Sequence, residues 1–191
     1  MKKVVLIVCL VAFATSSFAQ GEFAGEKGIS SAGVIGGYSI DMEKPIVGVD
    51  YRYNIADKIR VAPSVLYFGR EKYNLTSNSS NLDWDIIKNV FCFNLDAHYL
   101  ARITETITLY PIGGLGVSMW NYRHKVSTDL EDVSDFEKPK SETDIYVGLN
   151  LGFGGEMRVT KDIIVGAEFR YHLTKTEYRQ AMAVARVAYY W

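Results

Sequence analysis

Apolar and polar positions alternate with a period of two over most of the chain. In 86–103 the odd positions hold Phe91, Phe93, Leu95, Ala97, Tyr99 and Ala101, and the even ones Cys92, Asn94, Asp96, His98, Leu100 and Arg102. In 145–159 the odd series is Ile145, Val147, Leu149, Leu151, Phe153 and Met157, against Tyr146, Gly148, Asn150, Gly152, Gly154, Glu156 and Arg158. In 163–173 Val165, Ala167, Phe169 and Tyr171 face away from Glu168, Arg170 and His172. Successive side chains of a strand point to opposite faces, so the pattern predicts strands with one apolar and one polar face. Eight are predicted, at about 29–40, 46–55, 59–72, 86–103, 107–122, 145–159, 163–173 and 179–191. Strands two and three place Asp50, Arg52 and Arg60 on the even face; the Gly-Ser alternation of strand one assigns no face.

Three segments share a hairpin pattern: YNIADKIRVAP (53–63), ARITETITLYP (101–111) and MRVTKDIIVGA (157–167). Each has a three-residue polar turn (Ala56-Asp57-Lys58, Thr104-Glu105-Thr106, Thr160-Lys161-Asp162) followed by Ile. These read as short-loop β-hairpins. They lie roughly fifty residues apart, as successive hairpins of one meander do rather than as solenoid repeats. The intervening connections vary more. Asp41–Pro45 and Thr174–Tyr178 are short, Tyr73–Asp85 is polar, and Arg123–Asp144 carries seven acidic and four basic residues. Tight turns on one side, longer loops on the other and an even strand number fit an antiparallel up-and-down transmembrane barrel, whose strands need about nine to eleven residues to cross.

Alternation alone does not say which face is inside, because a soluble lipocalin-like barrel alternates with its apolar face inward. Two features favour a polar interior. The mature lysines fall in the N-terminal stretch, in turns, or in loops and at their edges, whereas strand interiors use Arg52, Arg60, Arg102, Arg158, Arg170 and Arg186. Arginine's planar fork satisfies several acceptors when enclosed, and Asp50, Asp96, Glu156 and Glu168 share its face, with His98 and His172 nearby. Glycines also alternate with large residues on that face, as in a narrow barrel interior. A charge on the lipid side would cost about 2–4 kcal/mol near the bilayer midplane, and the odd face of the strand cores carries none. Pro63 and Pro111 sit on the apolar face inside strands, where proline removes a ladder donor. Their common offset from the turns predicts a shared bulge at the rim, and their presence lends some support to the soluble barrel.

The N-terminus changes the compartment. Lys2 and Lys3, the apolar run VVLIVCLVAFA and Ser17-Phe18-Ala19 before Gln20 form the pattern of a cleaved signal peptide at 1–19, leaving a barrel domain at 20–191. Without Lys2 and Lys3 the 21 basic residues become 19 against 22 acidic, a net charge of −3, which gives no basic footprint for nucleic acid. Cys92 is then the one cysteine, so neither an internal disulfide nor a cysteine-based metal site is expected. The run DLEDVSDFE (129–137) lacks the spacing of an EF-hand and reads as a solvated loop. The sequons at Asn74 and Asn78 carry little weight in a bacterial loop, and His124 has no evident catalytic partner.

The export signal, the hairpin pattern and the terminal QAMAVARVAYYW resemble the small eight-stranded outer-membrane barrels of the OmpX and OmpA transmembrane-domain type, and the porin-family barrels of Bacteroidota. The resemblance covers the whole mature chain. It rests in part on the series Ala181, Ala183, Ala185, Val187, Tyr189 and Trp191, although Phe is the more usual last residue. It implies a Gram-negative outer-membrane location, a monomer surrounded by lipid, and a terminal strand read by the outer-membrane assembly machinery. The expected function is structural or interactive (adhesion, ligand capture or envelope integrity), without catalysis or cofactor, and with a surface ligand of unspecified identity. A lumen network is expected from Asp50, Arg52, Arg60, Asp96, His98, Arg102, Glu156, Arg158, Glu168, Arg170, His172 and Arg186, with Tyr189 and Trp191 at the membrane interface. The alternatives are a small pore, a soluble binder, and a lipid A-modifying enzyme. For the enzyme the nearest motif is Arg170-Tyr171-His172-Leu173-Thr174, with Thr in place of Ser and Glu177 close by; parity points His172 inward.

Overall fold

The computed structural model describes residues 26–77, 82–128 and 141–191. The leader at 1–19, the acidic run at 129–137 and the sequon at Asn78 lie outside the described residues. Eight antiparallel strands follow the chain in order: β1 (Ser30–Ser39), β2 (Lys44–Ala56), β3 (Ile59–Ser77), β4 (Leu82–Tyr99), β5 (Ile107–Thr128), β6 (Ser141–Arg158), β7 (Ile163–Leu173) and β8 (Gln180–Tyr190). Ala101–Arg102 continues β4 as a two-residue piece paired with β5. Each strand pairs with the next, and β1 pairs with β8 from Ser31↔Tyr190 to Ser39↔Met182. The sheet therefore closes into a barrel with no free edge over the rows that all eight strands reach, which satisfies the backbone there without water. Backbone hydrogen bonds between Ser30 and Trp191, at 2.9 and 3.0 Å, add one more rung to the seam.

Even positions point inward on β2 to β8 wherever the side chains are described. On β1 the inward positions are odd (Ser31, Ile35 and Ser39 are buried), because its register with β2 pairs odd with even residues. The outward face is apolar and open: Val147 and Phe153 are 67% and 65% exposed, and Val34, Leu95, Leu115, Leu149 and Val187 lie at similar exposure. An apolar surface of this extent on a closed sheet is the lipid-facing wall of a membrane barrel, not the surface of a soluble one.

Two of the three tight turns share a device. The Thr104 hydroxyl accepts from the backbone N–H of Thr106 and Ile107 (3.3 and 3.0 Å), and the Thr160 hydroxyl from Asp162 and Ile163 (3.3 and 3.1 Å). A threonine two residues before the turn's exit thus replaces a missing backbone partner. The first turn has Ala56 at that position and a register shift between Asn54 and Ala56 instead.

The strands differ from the sequence expectation at the other end. The β3–β4 ladder runs on to Ser77↔Leu82, and β5 pairs with β4 as far as Thr128↔Leu82, so most of the polar connection at 73–85 and the start of that at 123–144 are strand. Polar residues on both faces conceal a strand that has left the membrane. At about 3.3 Å per residue, the 18–22 residues of β3 to β6 greatly exceed the 30 Å hydrocarbon core even when tilted, whereas the 10–11 residues of β1, β7 and β8 barely cross it. One side of the barrel is a tall wall and the other is low.

The prolines make no bulge. Pairing with β2 keeps one register on both sides of Pro63 (Asp50↔Ser64 and Tyr53↔Val61), and pairing with β4 does so around Pro111 (His98↔Ile112 and Ala101↔Leu109). What each proline causes is a gap, opposite Tyr51 in one case and Tyr99 in the other. Its missing N–H removes a rung while the strand on its other side still holds it, through Pro63↔Leu95 and Pro111↔Phe153. β4 is interrupted at Leu100 for this reason.

Candidate functional site: a two-part lumen

Toward the short turns, β2, β3, β4, β6, β7 and β8 each contribute an inward charge. Arg52 is the hub. Its Nε donates to Asp50 Oδ2 (2.7 Å), its Nη1 to the Tyr110 hydroxyl (2.8 Å) and its Nη2 to Glu168 Oε1 (2.5 Å). The Tyr110 hydroxyl in turn donates to the same Glu168 oxygen at 2.8 Å. Arg60 grips Glu156 with both Nη atoms (2.8 and 2.6 Å) and Asn54 with Nε (3.0 Å). Arg170 bridges Glu168 (2.7 Å) and Asp96 (2.8 Å), while Arg186 joins Asp50 (2.7 Å) to Ser31 (3.0 Å). Arg158 lies over the Tyr190 ring at 4.6 Å. Five arginines and four carboxylates are thus buried here among the described residues.

Polar residues continue the network upward. Asn150 Nδ2 donates to Asp96 (2.8 Å) and to Asn94 (2.9 Å), and its Oδ1 meets His172 Nδ1 at 2.7 Å. His98 stacks on Tyr110, with centroids 4.7 Å apart and planes 12° apart. Neither of its ring nitrogens has a hydrogen-bond partner among the described residues. Glycine makes the packing feasible: a Cβ at Gly33 would lie 2.8 Å from Asp50 Oδ1, and one at Gly154 would lie 2.7 Å from the Tyr110 ring.

Arg102 is not among the buried members of this group. It keeps the predicted inward parity, paired with the buried Thr108, but stands exposed at the short-turn rim. Without it, the cationic surplus over carboxylates falls to one, which suits an enclosed network better. Tyr189 and Trp191 are both on the outer wall, 56% and 59% exposed, with ring centroids 6.0 Å apart; Tyr51 sits 6.4 Å from Trp191. Tyr and Trp rings clustered at one end of an apolar wall suit a membrane–water interface.

The other half of the lumen is apolar. Ile35, Ile46, Leu66, Phe68, Val90, Cys92, Trp120, Met182 and Val184 form one buried cluster. A 3-10 turn at Thr176–Tyr178 places Tyr178 against it, stacked on Tyr146 (3.9 Å) and edge-on to Trp120 (5.0 Å). Lys88 Nζ sits 4.3 Å above Trp120 and Lys175 Nζ 5.6 Å from Tyr146, so two cations rim an aromatic cap. The sequence pattern describes the even face as glycines and charges; its apolar members Leu66, Phe68, Val90, Trp120, Met182 and Val184 share that parity and mark this half.

A closed eight-stranded antiparallel sheet with an apolar outside and a filled, partly charged inside defines a small transmembrane β-barrel. Residues 5–190 match the outer membrane protein beta-barrel domain family, and the chain belongs to it. Among solved structures it is similar to the N-terminal β-barrel domain of Pseudomonas aeruginosa OprF (15% identity, TM-score 0.54, covering 86% of this chain and 98% of that one). It is also similar to Ail, the attachment invasion locus protein of Yersinia pestis (16%, 0.53, 86% and 99%), and to a major outer membrane protein of Thermus thermophilus (11%, 0.61, 86% and 99%). At these identities the likeness is one of fold. No curated protein sequence matches the chain.

Proposed function

We propose that this outer-membrane barrel is closed to ion flow and acts as a scaffold for surface interaction, carrying the β3–β4 and β5–β6 hairpins as a wall beyond the membrane. The observation behind this reading is the lumen, filled by two different materials in series. Eight strands enclose only enough room for side chains. A hydrated path would have to pass both the arginine–carboxylate network and the apolar cluster from Ile35 to Val184. Short turns then face the periplasm and the tall hairpins the exterior. The leader at 1–19 would be removed on export, and the barrel would stand as a monomer in lipid.

The test is conductance in planar bilayers. The purified barrel should give no steady channels, and ohmic conductance of the unmodified protein would sink the closed reading. Reading of the β8 strand by the assembly machinery is tested by deleting Trp191, which should lower outer-membrane levels; normal levels would count against that role. The enzymatic alternative has little support. His172 is buried and engaged by Asn150 at 2.7 Å, away from the lipid face. Unchanged acyl chains on lipid A from cells with and without the protein are expected; a lost or gained chain would overturn the non-enzymatic reading.

A further inference from the structure

The outer wall carries a groove that runs into a cationic cleft. Along the hydrogen-bonding direction, one row of outward residues reads Ala101, Leu109, Gly155, Ala167, Ala185 and Gly36, each paired with the next. Except for Leu109, each is Gly or Ala. The rows on either side are bulky. Phe153, stacked on Phe169 with centroids 5.8 Å apart, and Tyr38 stand on one side, with Ala183 between Phe169 and Tyr38. Met157, Val165 and Val187 stand on the other, paired in the same order. The depression along the small row, on its Phe153–Phe169–Tyr38 side, has a volume of about 1100 Å³ and an almost wholly apolar lining. Five inter-strand steps of about 4.8 Å make the row roughly 24 Å long. Strands tilted by about 40° make it climb about 15 Å along the barrel axis, the depth of one leaflet of a 30 Å core.

At the short-turn rim this groove meets a second cavity of about 400 Å³, and Ala101 lines both. The rim cavity is lined by Lys58, Arg102, Tyr99, Thr108, Leu100 and Asp57. It owes its shape to the gap opposite Pro111, which interrupts β4 at Leu100, and to the Leu100 N–H, which donates to the Lys58 carbonyl at 2.8 Å. Asp57 is the opposing charge there, and its Oδ1 already accepts the Lys27 backbone N–H at 3.2 Å. Two cations and an interfacial tyrosine thus stand where a one-leaflet apolar groove ends.

We infer that this surface is a binding site for one anionic glycerophospholipid of the leaflet on the short-turn side. The phosphate lies between Lys58 and Arg102, and an acyl chain lies along the Ala101–Gly36 row against the Phe153–Phe169 wall. Arginine and lysine both bind phosphate through charge-assisted hydrogen bonds, and a groove one side chain deep holds a chain against small residues better than a flat wall does. The choice of a phospholipid over lipid A rests on the proposed orientation, with the short turns facing the periplasm.

Native mass spectrometry of the barrel in nonionic detergent with phosphatidylglycerol tests this. The unmodified protein should carry one lipid. Lys58→Ala/Arg102→Ala should lower the bound fraction about tenfold, as expected for the loss of charge-assisted contacts. Ala167→Leu/Ala185→Leu should do the same by filling the groove, and the milder Ala167→Val should lower it less. All are surface changes on a lipid-facing or rim position, so heat-modifiable gel mobility should still report a folded barrel. Inorganic phosphate should not displace the lipid. Equal lipid retention by the groove-filled variant, complete displacement by phosphate, or a dimer abolished by Ala167→Leu/Ala185→Leu in place of a lipid adduct would each overturn the site. Lipid A carried in place of phospholipid would overturn the inference through the orientation, whereas no adduct of either kind on the unmodified protein would overturn it through the groove itself.

Discussion

The two halves of the lumen solve one packing problem by opposite means. The half toward the short turns packs guanidinium against carboxylate, with each contact directional and each charge dependent on a partner. The half toward the tall hairpins packs Ile, Leu, Phe, Trp and Met without direction. The difference lies in how each fails. An apolar core loses stability in proportion to the volume removed. A buried ion network balances desolvation against attraction, so it adds little net stability when whole and loses much when one member is missing. The charged half therefore reads as the part that specifies which strands meet: Arg52 alone touches residues of β2, β5 and β7. The apolar half reads as the part that supplies cohesion.

The sharpest way to break this comparison is to remove a single charge. Glu168→Ala would leave Arg52 and Arg170 without their shared acceptor and should destabilise the barrel by about 3–5 kcal/mol, read from urea unfolding in lipid or detergent. A loss below about 1 kcal/mol would mean the network is not a unit. Next comes Phe68→Ala in the apolar half, expected to cost about 3 kcal/mol by the same assay; in contrast to Glu168→Ala, Phe68→Leu should recover most of it. Smaller still is the paired replacement Arg60→Met/Glu156→Leu, which removes both partners of the bidentate contact and should fall within about 2 kcal/mol of the unmodified protein, in either direction. If the pair cost as much as Glu168→Ala, the charges would contribute cohesion directly. The smallest effect is His98→Phe, which keeps the stack on Tyr110 and removes two unpartnered ring nitrogens; it should stabilise the barrel by about 1 kcal/mol, and a loss of that size would show that the imidazole is engaged.

Parity makes the inward face of β2 to β8 legible, from Asp50 through Arg186, because a strand with lipid on one side must alternate strictly. It does not settle β1, where Gly33, Gly36 and Gly37 leave too few side chains to show a period and the inward positions are odd. Arg102 keeps the inward parity opposite Thr108, but parity carries no information on depth, and this position lies at the open short-turn rim. The extent of β3 to β6 is hidden for a related reason: beyond the membrane neither face is constrained, so the ladder to Ser77↔Leu82 has no pattern to display. The rim cleft is illegible altogether, since Lys58 and Arg102 approach only through a turn and a gap, and the groove emerges only when five registers are laid side by side.

The seam between β1 and β8 has a kinetic consequence. Every other pairing in the barrel joins strands that follow one another in the chain, but Ser30 and Trp191 are brought together from opposite ends of the described residues. Closing a flexible segment of that length carries an entropy term of about 4–5 kcal/mol on a logarithmic scale. It is recovered only when the whole row from Ser31↔Tyr190 to Ser39↔Met182 forms. The meander can therefore grow hairpin by hairpin at little penalty, while the final closure stands as the slow, highest-contact-order step. Arg186 sets the register of that step, because its contacts to Asp50 on β2 and Ser31 on β1 form only when β8 arrives in the correct alignment.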